Sequence, residues 1–298
     1  MATALDSSQP SELVDLHSHT NESDGSLTPA ELVALARQVG LHALAITDHD
    51  TFRGYELASG FAREAGLDLV CGIELNTRMN ADRESTKRSV HLLAYFLTDA
   101  PPAAFAAWLE GERHERRNRN AGLVKKLQRD GLDITLEEVE ARGRSLAGRP
   151  HFARILVEKG YVANPEEAFH RYLGEGAPSF VPRQSKTAEE VIAVVRASGG
   201  LPVIAHPVRL ELDRAEERDL LIRYRRAGLA GLEIYHSEHT PELQAHYRQL
   251  AEDLELLPTG GSDFHGSIKP NVQLGIGLNG NVRVPRQFLD GLRQAAAA

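Results

Sequence analysis

The chain has 298 residues, 42% hydrophobic and 26% charged, which gives a globular composition and enough length for one large domain or two ordinary ones. Its formal net charge of −8 argues against sequence-independent coating of nucleic acid and still allows a local basic pocket for phosphate. The single cysteine, Cys71, excludes an intrachain disulfide and reads as a small core residue, while the lack of a signal-peptide pattern, or of any apolar run near the roughly 18 residues of a membrane span, makes the cytoplasm the expected location, with no membrane partner.

Residues 13–16 read as a short strand, and Thr28-Pro29-Ala30-Glu31 combines an N-cap threonine, a proline at the first helical position and a capping-box glutamate. The helix this starts, over 29–39, stops at Gly40; a strand over 43–47 follows, then a helix over 52–65 with Gly66 as its stop signal. Two more strands, 69–75 and 90–96, are joined by the polar segment 77–89, read as a hairpin or mobile loop. After Asp99-Ala100-Pro101-Pro102 the alternation breaks, and from 103 to about 172 the apolar spacing is helical only. The expected organisation is a first barrel part (13–100), an inserted mainly helical substrate-capping subdomain (101–184) and a second barrel part (185–298). In the second part, the capping box Thr187–Glu190 opens a helix to Ala197, followed by a strand at 203–205, a helix at 220–227, strands at 231–235 and 256–259, and a closing helix over 285–298.

The chemistry-bearing residues fall where these strands end. His17 and His19 stand one residue apart after the first strand, with Asp24 close behind; Asp48-His49-Asp50 ends the second, Glu74 the third, His91 sits in the fourth, His206 ends the fifth, and Asp263-Phe264-His265 follows the last. A β/α barrel collects its chemistry at the C-terminal ends of its strands, so His17, His19, Asp24, His49, Glu74, His91, His206, Asp263 and His265 form one candidate metal site. Nine ligands are too many for one ion. A mixed imidazole and carboxylate set suits zinc, manganese or iron, and two or three divalent ions are expected, Glu74 or Asp263 bridging them.

Other residues carry weaker signals. Arg113, Arg116, Arg117 and Arg119 lie on a predicted helix and read first as a solvated face, with contact to an anionic substrate as the alternative. Arg149 and His151, with Arg183, Arg209 and Lys269, fall in loops at the predicted barrel face and suit phosphate. His236 and His239 are candidate proton donors, surface hydrogen bonding being the competing reading. The string Gly275 to Gly280 matches G-x-G-x-x-G but lies too near the C-terminus for a following βαβ unit, and reads as a loop.

The assembled motifs, Asp15-Leu16-His17-Ser18-His19, Thr47-Asp48-His49-Asp50, Gly72-Ile73-Glu74, Val90-His91, Ala205-His206-Pro207 and Gly261-Ser262-Asp263-Phe264-His265, resemble those of the PHP family, named for polymerase and histidinol phosphatase. The resemblance runs from about Leu13 to Gly280 and fills all nine positions of that family's trinuclear site. It implies an α/β fold, a distorted β/α barrel of seven strands. Within the family, the helical insert with Gly148-Arg149-Pro150-His151-Phe152-Ala153 is similar to the branch of 3′,5′-nucleotide bisphosphatases that also act as 5′-to-3′ exoribonucleases.

That similarity implies removal of the 3′-phosphate from nucleoside 3′,5′-bisphosphates, stepwise hydrolysis of short 5′-phosphorylated RNA, and manganese as the metal. It also places Arg149 and His151 in a substrate-facing segment and Arg209 near a phosphate. The expected chemistry is in-line attack on phosphorus by a metal-held hydroxide. His17, His19, Glu74 and Asp263 would serve one ion, Glu74, His91 and His206 a second, and Asp24, His49 and His265 a third. The partners expected are a small nucleotide and short RNA as substrates, with no stable protein partner. The rivals are a histidinol-phosphate or general phosphomonoesterase, a metalloamidase, and a non-catalytic metal-binding regulatory domain.

Overall fold

The computed structural model describes residues 12–79, 89–98, 100–143, 147–174, 176–181 and 186–298. Arg183 and most of the polar segment 77–89 lie outside them. The barrel begins with β1 (Leu13–Asp15), α1 (Pro29–Gln38), β2 (Ala43–Ile46), α2 (Arg53–Ala65), β3 (Asp68–Arg78) and β4 (Ser89–Phe96). The Thr28 capping box forms as the sequence predicts, and Gly66 closes α2 in the left-handed region at φ 62°.

Helices then replace strands: α3 (Ala103–Arg129), α4 (Leu136–Gly143), α5 (Arg149–Glu158), α6 (Pro165–Ala168) and a π-helical turn, Phe169–Leu173. The second half supplies α7 (Ala188–Ala197), β5 (Leu201–Ile204), α8 (Arg214–Ala227), β6 (Gly231–Tyr235), α9 (Pro241–Asp253), β7 (Leu257–Gly260), β8 (Val272–Gln273), β9 (Gly277–Leu278), β10 (Val284–Pro285) and α10 (Arg286–Ala296).

The main sheet has eight strands in the order β10-β1-β2-β3-β4-β5-β6-β7, one more than the seven expected. The extra strand is β10, two residues paired antiparallel to β1, too short to leave a periodic signal. The runs β1-β2-β3 and β5-β6-β7 are parallel, and β4 is antiparallel to both its neighbours. That reversal brings the N-terminal end of β4, with His91, to the edge where the other strands have their C-termini. β8 and β9 pair as a separate hairpin, so the glycine-rich string read as a loop contains a short strand. Helix α9 is a further element the sequence reading missed, although Thr240 caps it and Pro241 occupies its first turn.

Closure runs past the ends of the regular strands. The Leu16 N–H donates to the Gly260 carbonyl (3.2 Å), Asp263 N–H to His17 O (2.9 Å) and His19 N–H to Phe264 O (2.9 Å). A Cβ at Gly261 would collide with the His17 backbone nitrogen and Cβ, so only glycine lets the two segments come this close.

Alternate strand residues face opposite sides. Val14, Leu16, Ala43, Ala45, Leu93, Tyr95, Val203 and Ala205 pack in one cluster with Leu289 and Leu292 of α10. Leu44 and Ile46 turn the other way against α1 and α2. The insert has its own buried cluster, including Leu123, Leu127, Ile134, Phe152, Ile155 and Leu173. Helix α3, about 40 Å long at 1.5 Å per residue, joins the two: Phe105 and Leu109 pack with the barrel, Leu123 and Leu127 with the insert. Phe152 has no exposed surface, so Phe152→Ala should cost about 3–5 kcal/mol of stability. Urea unfolding should show it as an earlier midpoint, and a loss below about 1 kcal/mol would contradict this packing.

Candidate metal centre

All nine sequence-selected ligands converge at the C-terminal edge of the parallel strands, around Glu74 of β3. Its Oε1 lies 2.7 Å from His91 Nδ1 and 2.9 Å from His206 Nε2, and its Oε2 lies 3.1 Å from His19 Nε2 and 3.3 Å from both His17 Nε2 and His49 Nε2. Asp263 Oδ1 approaches His17 Nε2 at 3.5 Å and His19 Nε2 at 3.4 Å. Asp24 reaches His265 Nε2 at 3.3 Å, His19 Nδ1 at 3.6 Å and His49 Nε2 at 3.7 Å.

Among the described residues, three groups offer ligand atoms within 4.8 Å of one another: His17, His19, Glu74 and Asp263; His19, Asp24, His49 and His265; and His49, Glu74 and His91. The third contains His49 where the sequence reading placed His206, but His206 bonds the same Glu74 oxygen as His91.

The donor chemistry fits divalent cations. His17 donates Nδ1–H to Glu233 Oε1 at 2.9 Å, so in its neutral form Nε2 turns a lone pair on the Glu74 carboxylate. His19 Nε2 is buried with no hydrogen-bond partner. Acceptor facing acceptor in a buried site needs a positive charge between them.

The titration behaviour agrees. Burial disfavours charge on every member, but the carboxylates of Glu233, Glu74 and Asp263 outweigh it and hold the His17 imidazole well above its usual value; Asp263, Glu74 and Asp24 push His19 up to about 9. Burial dominates at His49 and His206, pulled down to about 4 and about 3. The Glu74 carboxyl sits well below its usual range because the charges of His49, His91 and His17 overcome its burial.

Supporting residues, not singled out individually by the sequence reading, fix this arrangement. Glu233, fully buried on β6, accepts the His17 Nδ1–H at 2.9 Å and the His206 backbone N–H at 2.6 Å; burial alone would raise its pKa, but His17 brings it down to about 2. Its signal was an acidic residue inside the apolar strand Gly231-Leu232-Glu233-Ile234-Tyr235. Asp15, also fully buried, accepts from Ser262 N–H (2.9 Å), Ser262 Oγ–H (2.6 Å), Gly275 N–H (2.8 Å) and His17 N–H (3.2 Å). Asp48 accepts from Thr20 and Ser23 and anchors the turn that presents Asp24. Asp50, His206 and Asp263 all have positive φ, at 52°, 27° and 55°, backbone strain of the kind concentrated at functional sites.

Two cations reach Asp263 Oδ2: Lys269 Nζ at 2.6 Å and Arg209 Nη2 at 3.1 Å, with Arg209 also forked onto Glu238. His151 of the insert lies within electrostatic reach of Asp24, although burial dominates and lowers its pKa. Arg149 points into the insert instead: its guanidinium lies over the Phe169 and Phe180 rings and donates to Leu173 O at 3.4 Å. His236 donates from Nε2 to Asp263 (3.2 Å) and accepts the Glu238 N–H at Nδ1, and His239 donates to Ile234 O. Both are buried, so surface hydrogen bonding does not describe either.

Fold and site together define an α/β-barrel protein with a buried cluster of imidazoles and carboxylates whose donor chemistry fits divalent cations. A PHP domain family model matches residues 15–164. The chain belongs to that family. It is 32% identical over 251 residues (84% of this chain, 89% of the relative) to a 5′-3′ exoribonuclease of Haemophilus influenzae. It is 30% identical over 254 residues (85% and 87%) to a 3′,5′-nucleoside bisphosphate phosphatase of Chromobacterium violaceum. A crystal structure of a putative metal-dependent phosphoesterase from Bifidobacterium adolescentis superposes with a TM-score of 0.72 at 34% identity, covering 95% of this chain and 96% of that one.

Two outcomes follow from this geometry. Glu233→Gln should weaken metal binding about 10–100-fold by titration calorimetry with the fold retained; unchanged affinity would remove Glu233 from the support of the site. In metal-stripped protein, His19 contributes stability that is complete below pH about 6.5 and lost as pH rises through about 9, roughly 3 kcal/mol, and His17, held well above its usual value by Glu233, Glu74 and Asp263, contributes in the same direction. His49 and His206 contribute stability that is present above about 6.5 and lost as pH falls through about 4 and about 3. Thermal melts should therefore be highest near pH 6.5, and added metal should raise the melting temperature more at pH 9 than at pH 6. An equal rise at both values would contradict the assignment.

Proposed function

We propose that this chain is a metal-dependent phosphoesterase that removes the 3′-phosphate of nucleoside 3′,5′-bisphosphates and shortens 5′-phosphorylated RNA from its 5′ end. The observation that carries the reading is the Glu74 carboxylate facing five imidazoles, four buried and His91 partly so, beside two rim cations, Arg209 and Lys269. The names of the relatives point to the same substrates. His17, His19, Glu74 and Asp263 would hold one ion, Glu74, His91 and His206 a second, and Asp24, His49 and His265 a third, with manganese the proposed metal. Divalent cations supply a lowered water pKa and neutralise charge on phosphoryl oxygens.

The chain's own residues do the rest. Glu233 keeps the His17 Nε2 lone pair aimed into the cluster by holding the opposite proton. Arg209 and Lys269 lie against Asp263 Oδ2 and would turn their remaining N–H donors to a phosphate entering beside it. Segment 101–184 would act as the substrate-capping unit, Arg149 and His151 taking the non-reacting 5′-phosphate so that binding remote from the reacting bond orients the 3′-phosphate. The cytoplasm is the proposed location; no helix among the described residues is long and apolar enough to cross a membrane.

The test is phosphate release from adenosine 3′,5′-bisphosphate, 3′-AMP and histidinol phosphate with manganese, His17→Ala serving as control. The bisphosphate should be strongly preferred and the variant inactive; better turnover of histidinol phosphate would move the chain to the general phosphomonoesterase reading. Arg149→Ala should raise KM about tenfold for the bisphosphate and leave 3′-AMP within about twofold, the loss of one charge-assisted phosphate contact. Equal effects on both would release Arg149 from that role.

A further inference from the structure

One member of the arginine run on α3, Arg116, departs from the solvated face its spacing suggests. Arg116 is about nine-tenths buried and its guanidinium pairs with Asp50, the neighbour of His49. Arg116, Arg113, His114 and Arg117, with Glu110 and Glu140, line a cavity of about 330 Å³ between α3 and α4, within the roughly 300–1,000 Å³ range of ligand sites. Two buried polar atoms of its lining have no hydrogen-bond partner: Arg116 Nε, a donor, and Asn120 Oδ1, an acceptor. Buried polar groups normally find partners, so both point to a polar occupant.

The cavity adjoins the metal centre on two sides. Arg116 links its wall to Asp50, and Ala147, also in the lining, directly precedes the Gly148–His151 segment whose imidazole responds to the charge of Asp24. Asp24 is among the more open members of the cluster, its side chain 38% exposed. On α3 Arg113 pairs with Glu110 one turn away (3.3 Å), and across the cavity Arg117 forks onto Glu140 of α4 (2.6 and 3.2 Å). A single exposed contact such as Arg113–Glu110 is worth little, so a phosphate can take over Arg113 cheaply, whereas Arg117 has to be drawn from its fork on Glu140.

We propose that this cavity is a second nucleotide subsite, holding a phosphodiester group of an RNA substrate beyond the nucleotide at the metal centre. The inference rests on the RNA part of the proposed function. On this proposal an oligonucleotide reaches the cavity and a mononucleotide bisphosphate does not, so the two substrates should separate under mutation.

The test compares a 5′-phosphorylated pentaribonucleotide with adenosine 3′,5′-bisphosphate in the full-length chain carrying Arg113→Ala and Arg117→Ala. KM for the pentanucleotide should rise about tenfold or more while that for the bisphosphate stays within about twofold. Anisotropy of the same RNA, labelled at its 3′ end and titrated in EDTA, should show the same loss without turnover, with a salt dependence shallower by roughly 0.7 per phosphate contact removed. Glu140→Gln should tighten RNA binding several-fold by releasing Arg117, a gain that a purely structural ion pair would not give. Unchanged pentanucleotide KM and affinity in the double variant, with the bisphosphate still hydrolysed, would overturn the subsite and leave the phosphoesterase reading standing. Absence of turnover on either substrate in the unmutated chain would instead sink that reading, and the anisotropy titration would still decide the subsite.

Discussion

Burying the Glu74 carboxylate among five imidazoles is the constraint on which the rest of the structure depends. A carboxylate in a low-dielectric interior needs positive charge close by, and an imidazole that gives its one proton elsewhere cannot supply it. Glu233 removes that freedom from His17, and His19 is left with a buried, unbonded nitrogen. Cations satisfy both sides at once. The remaining features serve to keep the donors at that convergence: Asp15 ties the β1 end to Ser262 and Gly275, Gly261 permits close approach at the barrel seam, and left-handed backbone at His206 and Asp263 turns each side chain inward.

The insert is coupled to this centre through the same economy of charge. Helix α3 belongs to two hydrophobic clusters, one in the barrel and one in the insert, so its register is fixed at both ends. Between those ends Arg116 crosses to Asp50, whose carboxylate also accepts from the Asn76 N–H and side-chain amide beside His49. A buried ion pair of this kind stabilises little on its own, but removing either partner strands the other charge. The position of the insert and the orientation of a ligand histidine are therefore not independent.

The convergence of the nine candidate residues was legible in the sequence because a barrel places strand ends together, so that one local rule, a ligand-type residue at the end of an apolar run, repeats along the chain. Capping boxes at Thr28 and Thr187 marked helix starts for the same local reason. What stayed hidden depends on distant partners. Glu233 acquires its role from His17, 216 positions away, and Asp15 from Ser262 and Gly275, 247 and 260 positions away. Arg116 looked like its exposed neighbours because helical spacing cannot show that Asp50 waits opposite it. β10 is two residues long, below any periodicity, whereas α9 carries its start signal in the cap at Thr240-Pro241.

The measurement that bears most directly on the central claim is metal content per chain after dialysis against manganese, for the native protein and for Glu74→Gln. The account predicts two or three ions in the native protein and fewer than one in the variant, because the neutral amide removes the charge every subsite shares. Equal metal content in the two proteins would contradict it, since the cluster would then hold its cations without the carboxylate around which it is built.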